Sequence, residues 1–294
     1  MDQEDGDLTR AALARLDECD DVRFKRVMVS LIGHLHAFVR EVDLTTEEWI
    51  AAIDFLTATG QCCTAQRQEF ILLSDTLGVS MLVVTQDQAR QKGAGNGAAA
   101  ATEATVQGPY YWDGARDFPL GHDIGEGVPG EATFYSGRVT DTEGAPVVGA
   151  LLDVWSGDGE GVYDMQINGQ SEMLARGRFR TDDQGRYWFW SIRPGYYPVP
   201  MDGPVGRMLE RMGRHPNRPG HIHMKVVADG FVPVTTHLFV GDSPYLDSDA
   251  VFGVRESLVV DFEEHAPGEA PDGRVMPSRY WSAHYDFRLA PSRA

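Results

Sequence analysis

The sequence predicts an α+β chain, with a helical N-terminal part over residues 1–104 and an antiparallel β-sandwich over residues 105–294. Three observations carry this expectation. Apolar residues recur at three- and four-residue steps through the first third, the period of an amphipathic helix. A small, glycine-rich stretch, "QKGAGNGAAAATEATVQG" at 91–108, then reads as a linker. Beyond it come short alternating runs separated by turn residues, as in a sandwich.

In the helical part, "TRAALARLDECDDVRFKRVMVSLIGHLHAFVREV" reads as a first long helix. Thr45 and Glu48 have the spacing of a capping box, and "EEWIAAIDFLTATG" follows it to a stopping Gly60. "TAQRQEFILLSDTLGVSMLVV" reads as a third helix, interrupted near Gly78. In the sandwich, "EATFYSGRVTD", the turn "TEGA" and "PVVGALLDVWSGDG" come first. "GRFRTDDQGRYWFWSI" reads as two short strands around an Asp-Asp-Gln-Gly turn. "HIHMKVVADG" and "TTHLFVGD" continue the pattern.

Bulk properties exclude several functions. A formal net charge of −18 argues against a nucleic-acid or anionic-membrane surface. No run of about 18 apolar residues offers a membrane span. The polar N-terminus is unlike a signal peptide. Cys19, Cys62 and Cys63 are odd in number and lack zinc-ligand spacing, so reduced thiols and a cytoplasmic location are expected. The absence of βαβ alternation and of a glycine-rich phosphate loop argues against a nucleotide-binding fold.

The chemistry concentrates in "RPGHIHMKV", residues 218–226. On a strand, residues two apart share a face, so His221 and His223 can aim two imidazoles at one point. His34 and His36 have the same spacing on a helical segment, where they diverge, and are read as structural. A zinc or Fe(II) site would want a further carboxylate, histidine or cysteine, and "MKVVADG" offers no nearby glutamate. The upstream loops offer tyrosines instead: Tyr163 in "GEGVYDMQ", and Tyr196 and Tyr197 in "RPGYYPVP". Phenol ionises near pH ~10, but a trivalent cation lowers that value. Hard anionic phenolates favour Fe(III). Two of them with two neutral imidazoles and a hydroxide make a neutral centre, tolerable in a low-dielectric interior.

Taken together, "GVYDMQ", "GRYWFWSIRPGYYPVP", "GRHPNRPGHIHMKV" and "GDSPYLDSDAVFGV" resemble the intradiol ring-cleavage dioxygenases over roughly residues 30–290. The resemblance implies Fe(III) as cofactor, held by Tyr163, Tyr197, His221 and His223. It makes Tyr197 rather than Tyr196 the ligand, since the family's tyrosine immediately precedes the x-x-Pro found here as Pro198-Val199-Pro200. Arg218 matches an arginine that stabilises negative charge on the bound ring. Catechol enzymes of the family usually carry Gln where this chain has His237, and that histidine is more like the hydroxyquinol 1,2-dioxygenase branch. The resemblance also implies a substrate pocket of Met81, Val84, Gln107, Gly108, Pro109, Tyr110, Val199, Pro200 and Val251.

Three departures bear on substrate. Gly220 replaces the family's alanine, Val84 stands where hydroxyquinol enzymes carry an acid, and Gln107 and Tyr110 replace apolar residues. The implied substrates are a small aromatic diol or triol and O2, with no organic cofactor. The diol would bind iron as a dianion, displacing hydroxide and Tyr197, and the ring would open to a diacid. The helical part is expected to form a homodimer through its apolar stripes. Catechol or chlorocatechol cleavage is the alternative substrate reading. A non-catalytic β-sandwich binding module is the alternative of another class.

Overall fold

The computed structural model describes residues 2–64, 67–93, 101–167 and 169–292. The first expected helix is two, α1 (Asp2–Ala14) and α2 (Val22–Glu41). Asp21 starts the second by accepting the Phe24 N–H on Oδ1 at 2.8 Å, an N-cap that satisfies an otherwise orphaned donor. Helix α3 (Thr46–Gln61) opens on the expected capping box. Thr45 N donates to Glu48 Oε2 at 2.9 Å, and Glu48 N donates to Thr45 Oγ1 at 3.2 Å. The third expected helix is also split, into α4 (Glu69–Thr76) and α5 (Val79–Gly93). Gly78 lies between them at φ +74° and the axes bend by 72°. No single described helix is long and apolar enough to cross a membrane; α4 and α5 reach that length and composition only as a bent pair.

Packing divides the chain into two units, residues 1–58 and 59–294. In the first, α2 buries none of its residues. Phe24, Val27, Leu31, Leu35, Phe38 and Val42 are all exposed, at three- and four-residue steps. His36 Nδ1 meets Thr9 Oγ1 at 3.0 Å, joining α1 to α2.

The second unit carries the sheets. Its strands are β1 (Ala132–Asp141), β2 (Leu151–Ser156), β3 (Arg176–Arg180) and β4 (Arg186–Ile192). Then come β5 (Tyr197–Pro198), β6 (Asn217–Arg218), β7 (His221–Val227) and β8 (Val234–Val240). The last are β9 (Val259–Val260), β10 (Phe262–His265), β11 (Gly268–Glu269), β12 (Val275–Met276), β13 (Tyr280–His284) and β14 (Phe287–Leu289). One sheet runs β3-β2-β7-β8-β9; the other runs β10-β13-β1-β14, with β4 on the free edge of β1.

The sandwich is mixed rather than purely antiparallel. β13 and β14 both lie parallel to β1, and β9 lies parallel to β8, because long connections return these strands in the same direction. The Asp-Asp-Gln-Gly turn forms, with Asp182 Oδ1 accepting Gln184 N and Arg186 N at 2.9 and 2.8 Å. Its flanking strands do not pair with each other, however. β3 joins β2 and β4 joins β1, so the turn crosses from one sheet to the other.

The core fills the space between the sheets. Leu152, Val154, Phe179, Ile222, Met224 and Val226 come from one side, and Tyr135, Val139, Tyr187 and Phe189 from the other. Residues 94–100 of the glycine-rich stretch lie outside the described residues. From Ala101 the chain runs extended across the sheets, with Thr102 N bonded to Arg288 O and Thr105 N to Thr235 O, both at 2.9 Å.

Candidate metal centre

The alternation of β7 decides where the histidines go. Ile222, Met224 and Val226 enter the core between the sheets, so His221 and His223 occupy the opposite face. Both are 1 % exposed there, covered by loops. Pairing places Trp155, His223 and His237 in a row across β2, β7 and β8. Trp155 stacks on the His223 ring at 4.6 Å and 11°, which fixes its plane. His237 lies 4.2 Å from the His223 ring and 4.6 Å from the His221 ring.

Two loops bring phenols to the same face. Tyr163 follows β2, and Gln166 Oε1 accepts its N–H at 2.9 Å. The next residue anchors the loop: Asp164 pairs with Arg176 through Nε at 2.6 Å and Nη2 at 2.5 Å, both side chains buried. Asp164 also accepts Met165 N and Leu174 N. Tyr197 arrives on β5, which pairs with β6 and so lies beside Arg218. The two tyrosine loops touch at Gly161, whose φ is +83° and whose added Cβ would stand 2.6 Å from Tyr197 Cβ. The Tyr163 and Tyr197 rings are 5.3 Å apart, edge to face. Tyr196 points elsewhere, 48 % exposed and packed on Tyr245.

The polar atoms converge. Tyr163 Oη is 3.0 Å from His223 Nε2, and the Nε2 atoms of His221 and His223 are 3.2 Å apart. Arg218 Nη1 lies 3.4 Å from Tyr197 Oη and 3.3 Å from His221 Nε2. The other side of this guanidinium is held by Asp249, Nε to Oδ1 at 3.0 Å and Nη2 to Oδ2 at 3.2 Å. Asp249 also accepts Val251 N at 3.3 Å and Gly253 N at 2.9 Å, so one buried carboxylate sets both the arginine and its loop.

Electrostatics match this geometry. Burial pushes His221 down to about 3, with the Arg218 charge adding to it. Burial likewise holds His223 and His237 well below the ordinary imidazole range. All three are therefore neutral donors. Burial raises the Tyr163 phenol well above its usual range, with Tyr197 adding to the effect, so it ionises only beside a cation. Burial opposes the Asp249 charge, but Arg218 outweighs it and holds the carboxyl low.

These residues fit a metal ion. His221 Nδ1 lies 2.7 Å from Pro219 O and so carries that ring's proton, leaving Nε2 as a lone pair. Donors bound at about 2.1 Å and roughly perpendicular about one ion lie about 3 Å apart, the separation seen here. His223 Nδ1 and His237 Nε2 are buried without a hydrogen-bond partner among the described residues. Nitrogens of His221, His223 and His237 lie within 4.8 Å of one another, so a three-imidazole set is the geometric competitor. Thr105 Oγ1 meets His237 Nδ1 at 2.5 Å and ties that ring to the extended segment that follows Ala101.

The expected pocket residues divide. Pro109, Tyr110 and Pro200 line one cleft of about 360 Å³ beside the cluster. Met81, Val199 and Val251 are buried. Gly108, at φ +75°, brings the backbone against His223: its added Cβ would stand 3.3 Å from Cε1. Val84 lines a different cavity, with Thr102, Thr105 and Val234. Gln107, expected in the pocket, is exposed, while Thr105 and Val106 before it are both buried. Sequence reasoning missed Thr105, Trp155, Arg176 and Asp249. Only Asp249 had a signal, its place in "GDSPYLDSDAVFGV".

Comparison with known proteins places this geometry in a family. The family model described as "Catechol dioxygenase N terminus" matches residues 21–95, and the one described as "Dioxygenase" matches residues 106–291. A hydroxyquinol 1,2-dioxygenase of Rhizobium sp. is 46% identical over 280 residues, covering 95% of this chain and 92% of that protein. A 6-chlorohydroxyquinol 1,2-dioxygenase of Cupriavidus pinatubonensis is 46% identical over 89% of this chain and 92% of its own. The crystal structure of hydroxyquinol 1,2-dioxygenase from Pseudomonas putida DLL-E4 superposes with a TM-score of 0.89 at 43% identity, over 99% of this chain and 100% of that one. With matched models spanning most of its length and relatives well above 30% identity, this chain belongs to the intradiol ring-cleavage dioxygenases.

Proposed function

We propose that this enzyme cleaves hydroxyquinol (benzene-1,2,4-triol) between its adjacent hydroxyls with O2. The product is 3-hydroxy-cis,cis-muconate, which tautomerises to maleylacetate. Both oxygen atoms enter the product and the ring supplies the electrons, so no reductant is consumed. The observation that carries the reading is the meeting of two phenols and two imidazoles at one buried point. Relatives named for hydroxyquinol give the substrate.

The ligands in this reading are Tyr163, Tyr197, His221 and His223, and the ion is Fe(III), favoured by hard phenolate oxygens. Bound there, ferric iron supplies the Lewis acidity that ionises the diol and prepares the ring to react with O2. The protein does the rest. Tyr197 Oη is the atom placed to take a diol proton, with the Arg218 charge beside it. Arg218 Nη1 then faces whatever negative charge develops at the ring oxygens. His237 backs the imidazole pair from β8, held by Thr105. The loops over β7 exclude water, which strengthens each of these interactions. Pro109, Tyr110 and Pro200 wall the substrate cleft, and Met81, Gly108, Val199 and Val251 support it.

In this proposal residues 1–104 serve assembly, with Arg67 and α4 of that part also lining the substrate cleft, and 105–294 carry the metal ligands. The exposed apolar row of α2 pairs with its copy in a homodimer. Three free cysteines suit a reducing cytoplasm. Oxygen uptake and product identification with hydroxyquinol, catechol and 4-chlorocatechol test the function. Highest kcat/KM on hydroxyquinol is expected; preference for catechol or 4-chlorocatechol would move the substrate, and no uptake with any diol would end the reading.

A further inference from the structure

The cleft beside the cluster is not wholly apolar. Pro109, Tyr110, Met165 and Pro200 line it together with Arg67 and Asp202. Tyr110 belongs to both regions. Its ring stacks on Tyr163 at 4.4 Å and 21°, and meets Tyr197 edge-on at 6.2 Å. It is 8 % exposed, and its hydroxyl has no hydrogen-bond partner among the described residues. A phenol buried without a partner costs stability that phenylalanine would not, so its hydroxyl calls for a ligand.

Arg67 supplies the cation. Its Nη1 donates to Asp202 Oδ2 at 2.8 Å and its Nε to Glu69 Oε2 at 2.9 Å. Its Nη2 is buried and makes no well-aimed hydrogen bond among the described residues, though it stands 2.8 Å from Glu69 Oε2. Glu69 is fully buried and accepts Val205 N, which ties α4 to the start of the helix Pro204–Arg211, just after Asp202. Gly203 makes room for this approach: an added Cβ would lie 2.6 Å from Arg67 Nη2.

Charge then decides what the site takes. One guanidinium faces two carboxylates, so the group carries a formal charge of −1 before any ligand arrives. A carboxylate substituent would be repelled. A chlorine or hydrogen would leave the Tyr110 hydroxyl unpaired. A neutral hydroxyl can both donate and accept.

We infer that Tyr110 and Arg67 form a polar subsite for an uncharged ring hydroxyl remote from the two oxygens between which the ring opens. The inference rests on the ring-cleavage reading and specifies how its substrate is recognised.

Tyr110→Phe keeps the volume and removes only an unpaired hydroxyl, so the variant should fold. Its ratio of kcat/KM for hydroxyquinol over catechol should fall about tenfold or more. Anaerobic calorimetric titration should show the same fall in the ratio of affinities. Asp202 is largely exposed, so Asp202→Asn should also fold. By removing one negative charge it should raise affinity for 3,4-dihydroxybenzoate relative to hydroxyquinol about threefold or more, within the range of one partly screened charge contact. An unchanged hydroxyquinol-to-catechol ratio in Tyr110→Phe, by kinetics and by titration, would overturn the subsite. Wild type that binds hydroxyquinol but cleaves no diol would instead overturn the ring-cleavage reading, and the titrations would still decide the subsite.

Discussion

Removing Asp249 should destabilise the second unit far more than removing the whole ion pair it belongs to. Its carboxylate is nearly inaccessible, as is the Arg218 guanidinium it holds at 3.0 and 3.2 Å. Asp249→Leu strands a buried positive charge and orphans the Val251 and Gly253 amides that the carboxylate accepts. Breaking one side of such a pair costs about 3–5 kcal/mol. For a domain of this size each kcal/mol moves Tm by roughly 2–4 °C, so a fall of about 6–20 °C is expected. Arg218→Met/Asp249→Leu removes both charges and should recover most of that loss, since apolar replacement of a buried pair is often near neutral. Activity should not recover, because no cation then faces Tyr197 and His221; a loss of about 10²–10³ in kcat is expected. Thermal melts of both variants, read beside kcat, check this. A single variant as stable as wild type, or a double variant that regains turnover, would refute the reasoning.

Further outcomes follow from the same contacts. Asp164→Ala removes the partner of buried Arg176 and frees the loop that carries Tyr163, so it should cost about 3–5 kcal/mol and lower the metal bound per chain after dialysis. In metal-free protein the three buried imidazoles have folded-state values below the unfolded value near 6.5. The unfolded chain therefore takes up protons first, and stability present above about pH 6.5 is lost as pH falls toward the folded values, about 3 for His221; urea midpoints at a series of pH values read this loss. Leu35→Glu places a charge in the exposed apolar row of α2 and should shift sedimentation from dimer to monomer without lowering the unfolding midpoint of the second unit.

Much of the site was legible because strand geometry is simple. His221 and His223 share a face by alternation alone. The exposure of Gln107, expected in the pocket, was not legible, because it lies on an irregular segment whose buried side only the fold assigns. The capping box at Thr45 was readable because all its partners lie within four residues. What failed depends on distant contacts. Nothing near Asp21 in the periodicity announced the break between α1 and α2; the N-cap did so only through its own hydrogen bond. The parallel pairing of β13 and β14 with β1 joins residues more than a hundred positions apart, and no local pattern encodes it. Asp249 and Arg218 are 31 residues apart, as are no two residues of a local motif, so their pairing had to be seen in the fold. The histidines lie on the outer face of one sheet beneath loops, because the inner face of β7 is already filled by Ile222, Met224 and Val226, and which face each takes depends on the packing of the second sheet.

The central claim is that two phenols, and not a third imidazole, complete the coordination of iron by His221 and His223. The visible spectrum and iron content of Tyr163→Phe/Tyr197→Phe and His237→Gln, each loaded with Fe(III), test it most directly. The account predicts a broad phenolate-to-iron band in wild type that persists with its iron in His237→Gln and vanishes in the double tyrosine variant. Loss of iron from His237→Gln, with full iron retained by the double tyrosine variant, would contradict it and assign the metal to the three histidines.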